Sequence, residues 1–354
     1  MKPSAEHPRL APHLRRAIDE LVALAFAEGA PDTDRQLRAH VISEMVATAL
    51  HLANDRLTMG ELRLIRQSLR EMRAAFTMFD RYRSLRKVAI FGSARTPRDH
   101  PDYIAALEFS RALAERGWMA ITGAGPGIMQ AGNEGPTPEQ SFGLSIRLPF
   151  EDRPNPVIAD DPKLLKFRYY FTRKLAFMGS ADAVAAFPGG YGTQDELFEA
   201  LTLVQCGRSL VVPIVLVEGE GGQYWQRWRS FVSECMERTH WISPEDTDFF
   251  THATSAAHAV EIITSFYHRY RSSRYVDDLL VLRLDAPLSS EQLRKLAHEF
   301  SPLLQSGTMH QGDSLDGDDA PTGAPRIWFH HNRRLFGLIR RLIDRINTLP
   351  HSAA

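Results

Sequence analysis

The sequence has little of several features that mark particular classes of protein. It contains only two cysteines, Cys206 and Cys235, which are too few for a disulfide framework and do not form a CxxC pair. No apolar run approaches the roughly 20 residues that a membrane-spanning helix needs. The N-terminus lacks the apolar stretch of a signal peptide. These absences predict a cytoplasmic protein with no membrane partner.

An excess of charge of either sign is also missing. The 42 lysines and arginines are balanced by 43 acidic residues, so the formal net charge is −1. This balance gives no electrostatic reason to expect a nucleic-acid partner. The histidines lack a metal-ligand spacing such as HExxH, and no Gly-rich turn continues as the Gly-Lys-Ser/Thr of a Walker loop. We therefore expect neither a metal site nor triphosphate hydrolysis.

What the sequence does contain is enough apolar material for a sizeable core, since 44% of its 354 residues are hydrophobic. Apolar residues recur at helical spacing near the N-terminus, and from Lys87 onward short apolar strands alternate with helices, which is typical of βαβ units. The sequence predicts an α/β fold with a doubly wound, mostly parallel, Rossmann-like sheet. The predicted parts are a helical N-terminal extension (1–85), the Rossmann-like domain (86–272) and a small C-terminal α+β module of β-α-β-α order (273–354).

Three segments are assigned from their local pattern. Residues 164–178 have helical periodicity and are predicted as one helix. Residues 210–217 form an apolar run that predicts a strand. Residues 305–325 are rich in Gly, Asp and Pro and predict a loop.

Three Gly-containing turns each follow a predicted strand, at residues 92–95, 123–129 and 188–193. In an open parallel sheet, such turns gather at the carboxyl edge, where ligands bind. The turn at 123–129 reads G-x-G-x-G, and no acidic residue follows about 20 residues later, which disfavours a dinucleotide site. A tight turn without a ligand is the alternative for this segment.

The turn at 188–193 predicts a phosphate site. Its glycines, Gly189, Gly190 and Gly192, let the backbone approach an anion closely, and the helix expected to follow presents free N–H groups and a positive dipole end. Thr193 adds a hydroxyl donor. Among the acids that follow, Asp195 and Glu199 are explained by the helix dipole, whereas Glu196 is the candidate for chemistry.

These residues closely resemble the LOG family, the cytokinin-activating phosphoribohydrolases often labelled as lysine decarboxylases. The resemblance rests on the PGGYGTQDE string at 188–196, on Thr172-Arg173-Lys174 and on the loop at 123–129, and covers roughly residues 87–240. The LPFE segment at 148–151, with Asn155-Pro156 after it, resembles the longer bacterial branch.

The resemblance implies cleavage of the base–ribose bond of a nucleoside 5′-monophosphate such as AMP or a cytokinin nucleotide. It implies that Arg173 and Glu196 are the catalytic residues. It also implies that binding of the substrate and its phosphate falls on Ser93, Gly123, Gly125, Gly127, Lys174, Gly189, Gly190, Gly192 and Thr193. The tip of the loop at 123–129 departs from the Gly-Gly-Gly start common in the family, so the preferred base stays open.

A mechanism follows from this assignment. Breaking an N-glycosidic bond builds positive charge on the ribose, which the Glu196 carboxylate stabilises directly or by activating the attacking water. Arg173 is expected to contact the substrate and to keep Glu196 ionised. No cofactor is required.

Two alternatives remain, and both differ from hydrolysis. One is a carrier of a phosphorylated ligand, such as molybdenum cofactor, without turnover. The other is a pyridoxal-phosphate decarboxylase, for which Lys174 would be the nearest Schiff-base lysine. The core helices and the helical arm at 62–72 offer apolar faces beyond what one sheet can cover, and the relatives that this chain resembles form symmetric oligomers. We therefore expect a homo-oligomer with closed symmetry.

Overall fold

The computed structural model describes residues 10–26, 33–147, 153–318 and 323–350. Its contacts divide the chain into two compact units, residues 1–70 and 71–354. The LPFE segment at 148–151 lies outside the described residues. This division does not test the three predicted domain ranges, 1–85, 86–272 and 273–354, which remain predictions.

The first unit contains only helices among its described residues. These are α1 (Pro12–Ala25), α2 (Thr33–His51) and the part of α3 (Met59–Asp80) that precedes Glu71. Ile18 and Val22, one turn apart on α1, pack with Ala47 of α2 to form a small apolar core.

A seven-stranded parallel sheet forms the centre of the second unit. Its strands are β1 (Lys87–Phe91), β2 (Met119–Thr122), β3 (Ser141–Ile146), β4 (Leu164–Phe167), β5 (Ala183–Ala186), β6 (Ile214–Leu216) and β7 (Phe250–His252). They lie in the order β4-β3-β2-β1-β5-β6-β7, with every neighbouring pair parallel. The direction of winding reverses between β1 and β5, so the switch point of the sheet lies there. The predicted doubly wound fold is confirmed.

Helices cover both faces of this sheet, which explains why its central strands are apolar throughout. Side chains alternate along β1, so Val88 and Ile90 pack against one helical layer and Ala89 and Phe91 against the other. The first layer contains α4 (Pro101–Ala114), α5 (Ile128–Glu134) and α9 (Ala256–Phe266). The second contains the end of α3, α6 (Tyr170–Met178), α7 (Tyr191–Gln205) and α8 (Tyr224–Val232).

The prediction of one helix over residues 164–178 is wrong. The segment is strand β4 followed by helix α6. The buried carboxylate of Glu71 accepts hydrogen bonds from the backbone N–H of Arg168, at 2.8 Å, and from the hydroxyl of Thr172, at 2.5 Å. A tertiary contact from a distant helix thus fixes the chain between β4 and α6, which no local pattern reveals.

The strand predicted over 210–217 is shorter than expected. Only Ile214–Leu216 pair with neighbouring strands, because Pro213 lacks the N–H that a longer ladder would need. The helix after it, α8, ends at Val232 and continues as one wide π-helical turn over Ser233–Glu237.

The C-terminal part of the second unit is a small antiparallel sheet with two helices. Its elements are β8 (Tyr270–Val276), β9 (Leu279–Leu284), α10 (Ser290–Glu299), β10 (Leu304–Gly312), β11 (Arg326–His331) and α11 (Phe336–Thr348). The strand order is β10-β11-β9-β8, so β11 lies between β9 and β10. The loop predicted at 305–325 is wrong over its first part, since 304–312 is a strand. Only Met309 of that edge strand is buried, so the apolar alternation that marks a strand is absent.

Among the described residues, no helix combines the length and the apolar character that crossing a bilayer requires.

Candidate active site

The three Gly-containing turns meet at the carboxyl edge of the sheet, beside the switch point. Ser93 ties them together. Its N–H donates to the carbonyl of Pro188 at 3.1 Å, and its carbonyl accepts from the N–H of Ile128 at 3.0 Å. A cavity of about 690 Å³ opens at this junction. The predicted site residues that line it are Ser93, Gly123, Arg173, Gly190, Gly192, Thr193 and Glu196.

Helix α7 starts inside the third turn. Gly190 is its N-cap, and the N–H of Gln194 donates to the carbonyl of Gly190 at 3.1 Å as the first helical bond. The N–H groups of residues 190–193 therefore have no acceptor within the helix. The sequence pattern predicts a helix over 196–204, whereas the helix begins at Tyr191. Its earlier start places free amides and a positive dipole end directly at the cavity.

The glycines of this turn differ in what surrounds them. A Cβ atom added at Gly190 or Gly192 would meet no atom of the described residues within 4 Å, whereas one at Gly189 would collide with the side chain of Thr193. The backbone at Gly190 has φ −87°, which other residues also adopt. Gly189 is thus required by packing. The space over Gly190 and Gly192 is part of the cavity.

Ser93 and Arg95 add polar groups to the lining of the cavity. The N–H of Arg95 donates to the Ser93 hydroxyl oxygen at 3.1 Å, which leaves the hydroxyl proton of Ser93 available to a ligand. The exposed guanidinium of Arg95 lines the same cavity. Sequence analysis did not select Arg95, although an arginine directly after the first turn was a usable signal.

Glu196 and Arg173 form an ion pair at the base of the cavity. Helix α6 carries Arg173 and α7 carries Glu196, and Nη2 of the arginine lies 3.3 Å from Oε1 of the glutamate. Glu196 is only 3% exposed. Its Oε2 atom, like Nε of Arg173, has no hydrogen-bond partner among the described residues. The arginine also lies over the rings of Tyr170 and Phe177, with its guanidinium carbon 5.1 Å and 5.7 Å from their centroids.

The ionised form of Glu196 is disfavoured in this environment. Burial raises its pKa above the ordinary value of 4.5, and the opposing attraction of Arg173 and Lys174 is smaller. Arg173 lowers this pKa, which is the direction expected of it, but burial raises the pKa more. The ion pair leaves Oε2 of Glu196 without a hydrogen-bond partner among the described residues.

Lys174 lies on the other side of α6 and does not line the cavity. Its Nζ pairs with Asp195 at 2.9 Å and with Glu199 at 2.6 Å, which joins α6 to α7. Desolvation lowers the pKa of Lys174, but hydrogen bonds to Glu199 and Asp195 raise it more, so the ammonium form is favoured. This environment does not favour a Schiff-base lysine, which must react as the neutral amine. The predicted phosphate contact of Lys174 stays a prediction.

The second turn supports the cavity through its backbone. Gly127 has φ +62°, and a Cβ there would collide with the carbonyl of Ser93. The carbonyl of Gly125 accepts from Nδ2 of Asn155 at 3.1 Å. Ala124 also adopts a left-handed backbone, with φ +60°, where the family commonly has glycine. Gly125 and Gly127 are thus placed behind the cavity wall, and Gly123 lines it.

The fold and this site define a Rossmann-like α/β protein whose ligand cavity lies at the switch point of the sheet. Residues 119–263 match the family described as "Possible lysine decarboxylase". A stretch of 98 residues is 34% identical to cytokinin riboside 5′-monophosphate phosphoribohydrolase LOG1 of Arabidopsis thaliana. That stretch is 28% of this chain and 44% of the relative, so less than half of the relative's length is spanned. Within residues 119–263, this chain is therefore similar to the LOG family.

Solved structures show similarity over half of the chain. The structural-genomics target TM1055 is 22% identical, with a TM-score of 0.38 over 51% of this chain and 99% of that one. The molybdenum cofactor binding protein of Rippkaea orientalis is 17% identical, with a TM-score of 0.36 over 51% of this chain and 96% of that one. These similarities are too distant to decide between functions.

Proposed function

We propose that this protein is a nucleoside 5′-monophosphate phosphoribohydrolase, which releases the free base and ribose 5-phosphate. The observation that carries the proposal is the buried carboxylate of Glu196. One of its oxygens is unpaired, and it lines the same cavity as the free amides of residues 190–193. Burying a carboxylate close to a bound anion costs free energy, and ligand binding alone does not require it.

The phosphate binds at the start of α7. The free amides of residues 190–193 begin the helix at this cavity, there is open space over Gly190 and Gly192, and Ser93 and Arg95 add a hydroxyl and a guanidinium to the same lining. A cavity of about 690 Å³ is of a suitable size for a nucleotide. The phosphate anchors the ribose, so its anomeric carbon is held at a defined position relative to Glu196.

The reaction breaks the bond between C1′ and the base nitrogen. The bonding electrons leave with the base, and positive charge develops on C1′ and the ring oxygen of the ribose. The Glu196 carboxylate stabilises that charge and accepts a proton from the water that adds to C1′. The departing base nitrogen takes up one proton from solvent, and Glu196 later returns its proton to solvent, so the products are the neutral base and ribose 5-phosphate. Arg173 fixes the orientation of the carboxylate through Oε1, which leaves Oε2 for the reaction.

The test is release of free base from a panel of nucleoside 5′-monophosphates, including AMP and cytokinin riboside monophosphates, read by chromatography. We expect kcat/KM for AMP to exceed that for adenosine by about 100-fold or more, because each charge-assisted hydrogen bond to phosphate contributes about 1.5–3 kcal/mol. Equal values would show that residues 190–193 do not form a phosphate site. Tight binding without base release would favour a carrier of a phosphorylated ligand.

A further inference from the structure

A second hollow lies on the other side of the α7 N-terminus. It has a volume of about 840 Å³ and is open to solvent. Aromatic side chains from α7 and α8 dominate its lining, with Phe198, Tyr224, Trp228 and Phe231 among them. Phe231 is half exposed, which is unusual for so large an apolar side chain.

The polar atoms of this hollow are already paired with one another. Nε2 of Gln194 donates to the Tyr224 hydroxyl oxygen at 2.7 Å, and Nε1 of Trp228 donates to Oε1 of Gln194 at 2.8 Å. The Tyr224 hydroxyl donates in turn to the carbonyl of Gly189 at 2.6 Å. Gln194, Tyr224 and Trp228 therefore bind one another, and the half-exposed ring of Phe231 offers an apolar surface to a ligand. This chain of bonds also ties the hollow to the predicted phosphate turn.

Tyr191 connects the hollow with the candidate active site. It lines both cavities, stands between Gly190 and Gly192, and is 97% exposed. A phosphate held by the amides of residues 190–193 would thus lie between the two cavities. The exposed guanidinium of Arg227 also borders the hollow, and its Nη2 lies 3.1 Å from Oε1 of Gln223.

We propose that the site accepts dinucleoside pyrophosphates as well as nucleoside monophosphates. In such a ligand, the base of the second nucleoside binds in this hollow. The first nucleoside occupies the cavity with Glu196, the pyrophosphate lies over the start of α7, and Arg227 faces its second phosphate. The outer base stacks on Phe231, whose side chain is half exposed. Such stacking is tolerant of base identity because every base has a π-face. The inference rests on the proposed phosphate site.

Three probes separate the contributions to binding. They are AMP, ADP-ribose and diadenosine 5′,5′-diphosphate. ADP-ribose has the pyrophosphate and the second ribose but lacks the second base. Dissociation constants are measured by calorimetry on the full chain carrying Glu196→Gln, so that no probe is turned over. We expect the dinucleotide to bind about tenfold more tightly than ADP-ribose, the usual effect of one stacked base.

Variants at the hollow test whether its residues cause the tighter binding of the dinucleotide. Phe231→Ala should reduce the tenfold advantage of the dinucleotide to about twofold and leave AMP binding unchanged. Arg227→Ala should weaken ADP-ribose and the dinucleotide alike. Arg229→Ala, an exposed arginine of the same helix that does not line the hollow, is the matched control.

Equal affinity for ADP-ribose and the dinucleotide would overturn the inference, as would an advantage that Phe231→Ala leaves intact. A fall in oligomer mass with Phe231→Ala, at unchanged affinities, would assign the hollow to a second copy of the chain. Failure of the proposed hydrolase function is seen separately, as AMP that binds the wild-type protein without releasing base.

Discussion

At the scale of single residues, the proposal depends on the charge of Glu196. Replacing Glu196 with Gln removes that charge with little change of shape, so the fold and much of the AMP affinity should persist. Because the charge is needed only as C1′ becomes positive, we expect kcat to fall by about 100-fold to 10,000-fold. Initial rates of base release from AMP measure the effect.

Two further variants give this prediction its controls. Arg173→Ala should also abolish turnover, with weaker AMP binding, because the carboxylate loses the group that orients it. Glu199→Gln removes a charge one turn further along α7, where it pairs with Lys174 outside the cavity, and should be mild. Near-normal turnover by Glu196→Gln would contradict the mechanism.

The same substitution should stabilise the protein at neutral pH. The folded-state pKa of Glu196 is raised, mainly by burial, so folding disfavours its ionised form. The contribution of Glu196 to stability is therefore fully present below the unfolded pKa and is lost as pH rises through the folded pKa. We expect Glu196→Gln to have a higher Tm than wild type at pH 7–8, with the difference vanishing near pH 4. A lower Tm at neutral pH would mean that the attraction between Arg173 and the Glu196 charge exceeds the cost of burying that charge.

Lys174 is expected to act on Glu196 from outside the cavity. Its charge lowers the pKa of Glu196, so Lys174→Met should raise that pKa further. The acidic limb of the pH profile of kcat/KM should then move to higher pH, while KM for AMP at high pH stays unchanged. An increase in KM for AMP but not for adenosine would instead support the predicted contact between Lys174 and the phosphate.

At the scale of elements, the start of α7 allows a matched pair of glycine substitutions. Gly192→Ala places a methyl group in open space, so the free energy of unfolding should rise by about 0.5–1 kcal/mol. KM for AMP should rise about tenfold or more, because the methyl group displaces the phosphate from its amide donors. Adenosine kinetics should not change.

Gly189→Ala is the counterpart and should have the opposite pattern. The added methyl group collides with Thr193, so overpacking should lower the free energy of unfolding by about 1–3 kcal/mol. Denaturant titrations of both variants provide the comparison. Equal loss of stability in the two would show that the space over Gly192 is not available to a ligand.

Elements with a strong local pattern were predicted well, and those fixed by distant contacts were not. The buried strands β1 and β5 are short apolar runs ended by glycine-rich turns, so their positions followed from the sequence. Strand β4 was missed because the end of α3, through Glu71, breaks an apparently helical segment. Strand β10 was missed because it is an edge strand with one buried residue.

The candidate site shows the same division. Strand-then-glycine patterns predicted that the turns at 92–95, 123–129 and 188–193 share one edge of the sheet, and the structure brings them together. The position of Lys174 outside the cavity could not be predicted, because it depends on which face of α6 meets α7. Nor could the net shift in the pKa of Glu196, since burial is a property of the assembled fold.

At the scale of the whole molecule, we expect a homo-oligomer with closed symmetry. Phe171 and Leu175 of α6 and Phe76 of α3 are about half exposed, an apolar surface that a second copy would cover. Light scattering at micromolar concentration should give a multiple of the 39.9 kDa monomer mass. Leu175→Glu should lower that mass, whereas Ile104→Glu, an equally exposed site on α4, should not. A monomer mass for the wild-type protein would contradict this expectation.

The difference between Gly189 and its two neighbours has a consequence for evolutionary drift. Folding alone preserves Gly189, because any side chain there meets Thr193. Nothing in the packing of the chain preserves Gly190 or Gly192, so a lineage released from selection on ligand binding would be free to replace them. Among relatives of this chain, descendants that keep Gly189 but have lost the other two glycines should retain the fold without the activity. The residues at positions 190 and 192 should therefore distinguish relatives that bind the ligand from relatives that retain only the fold.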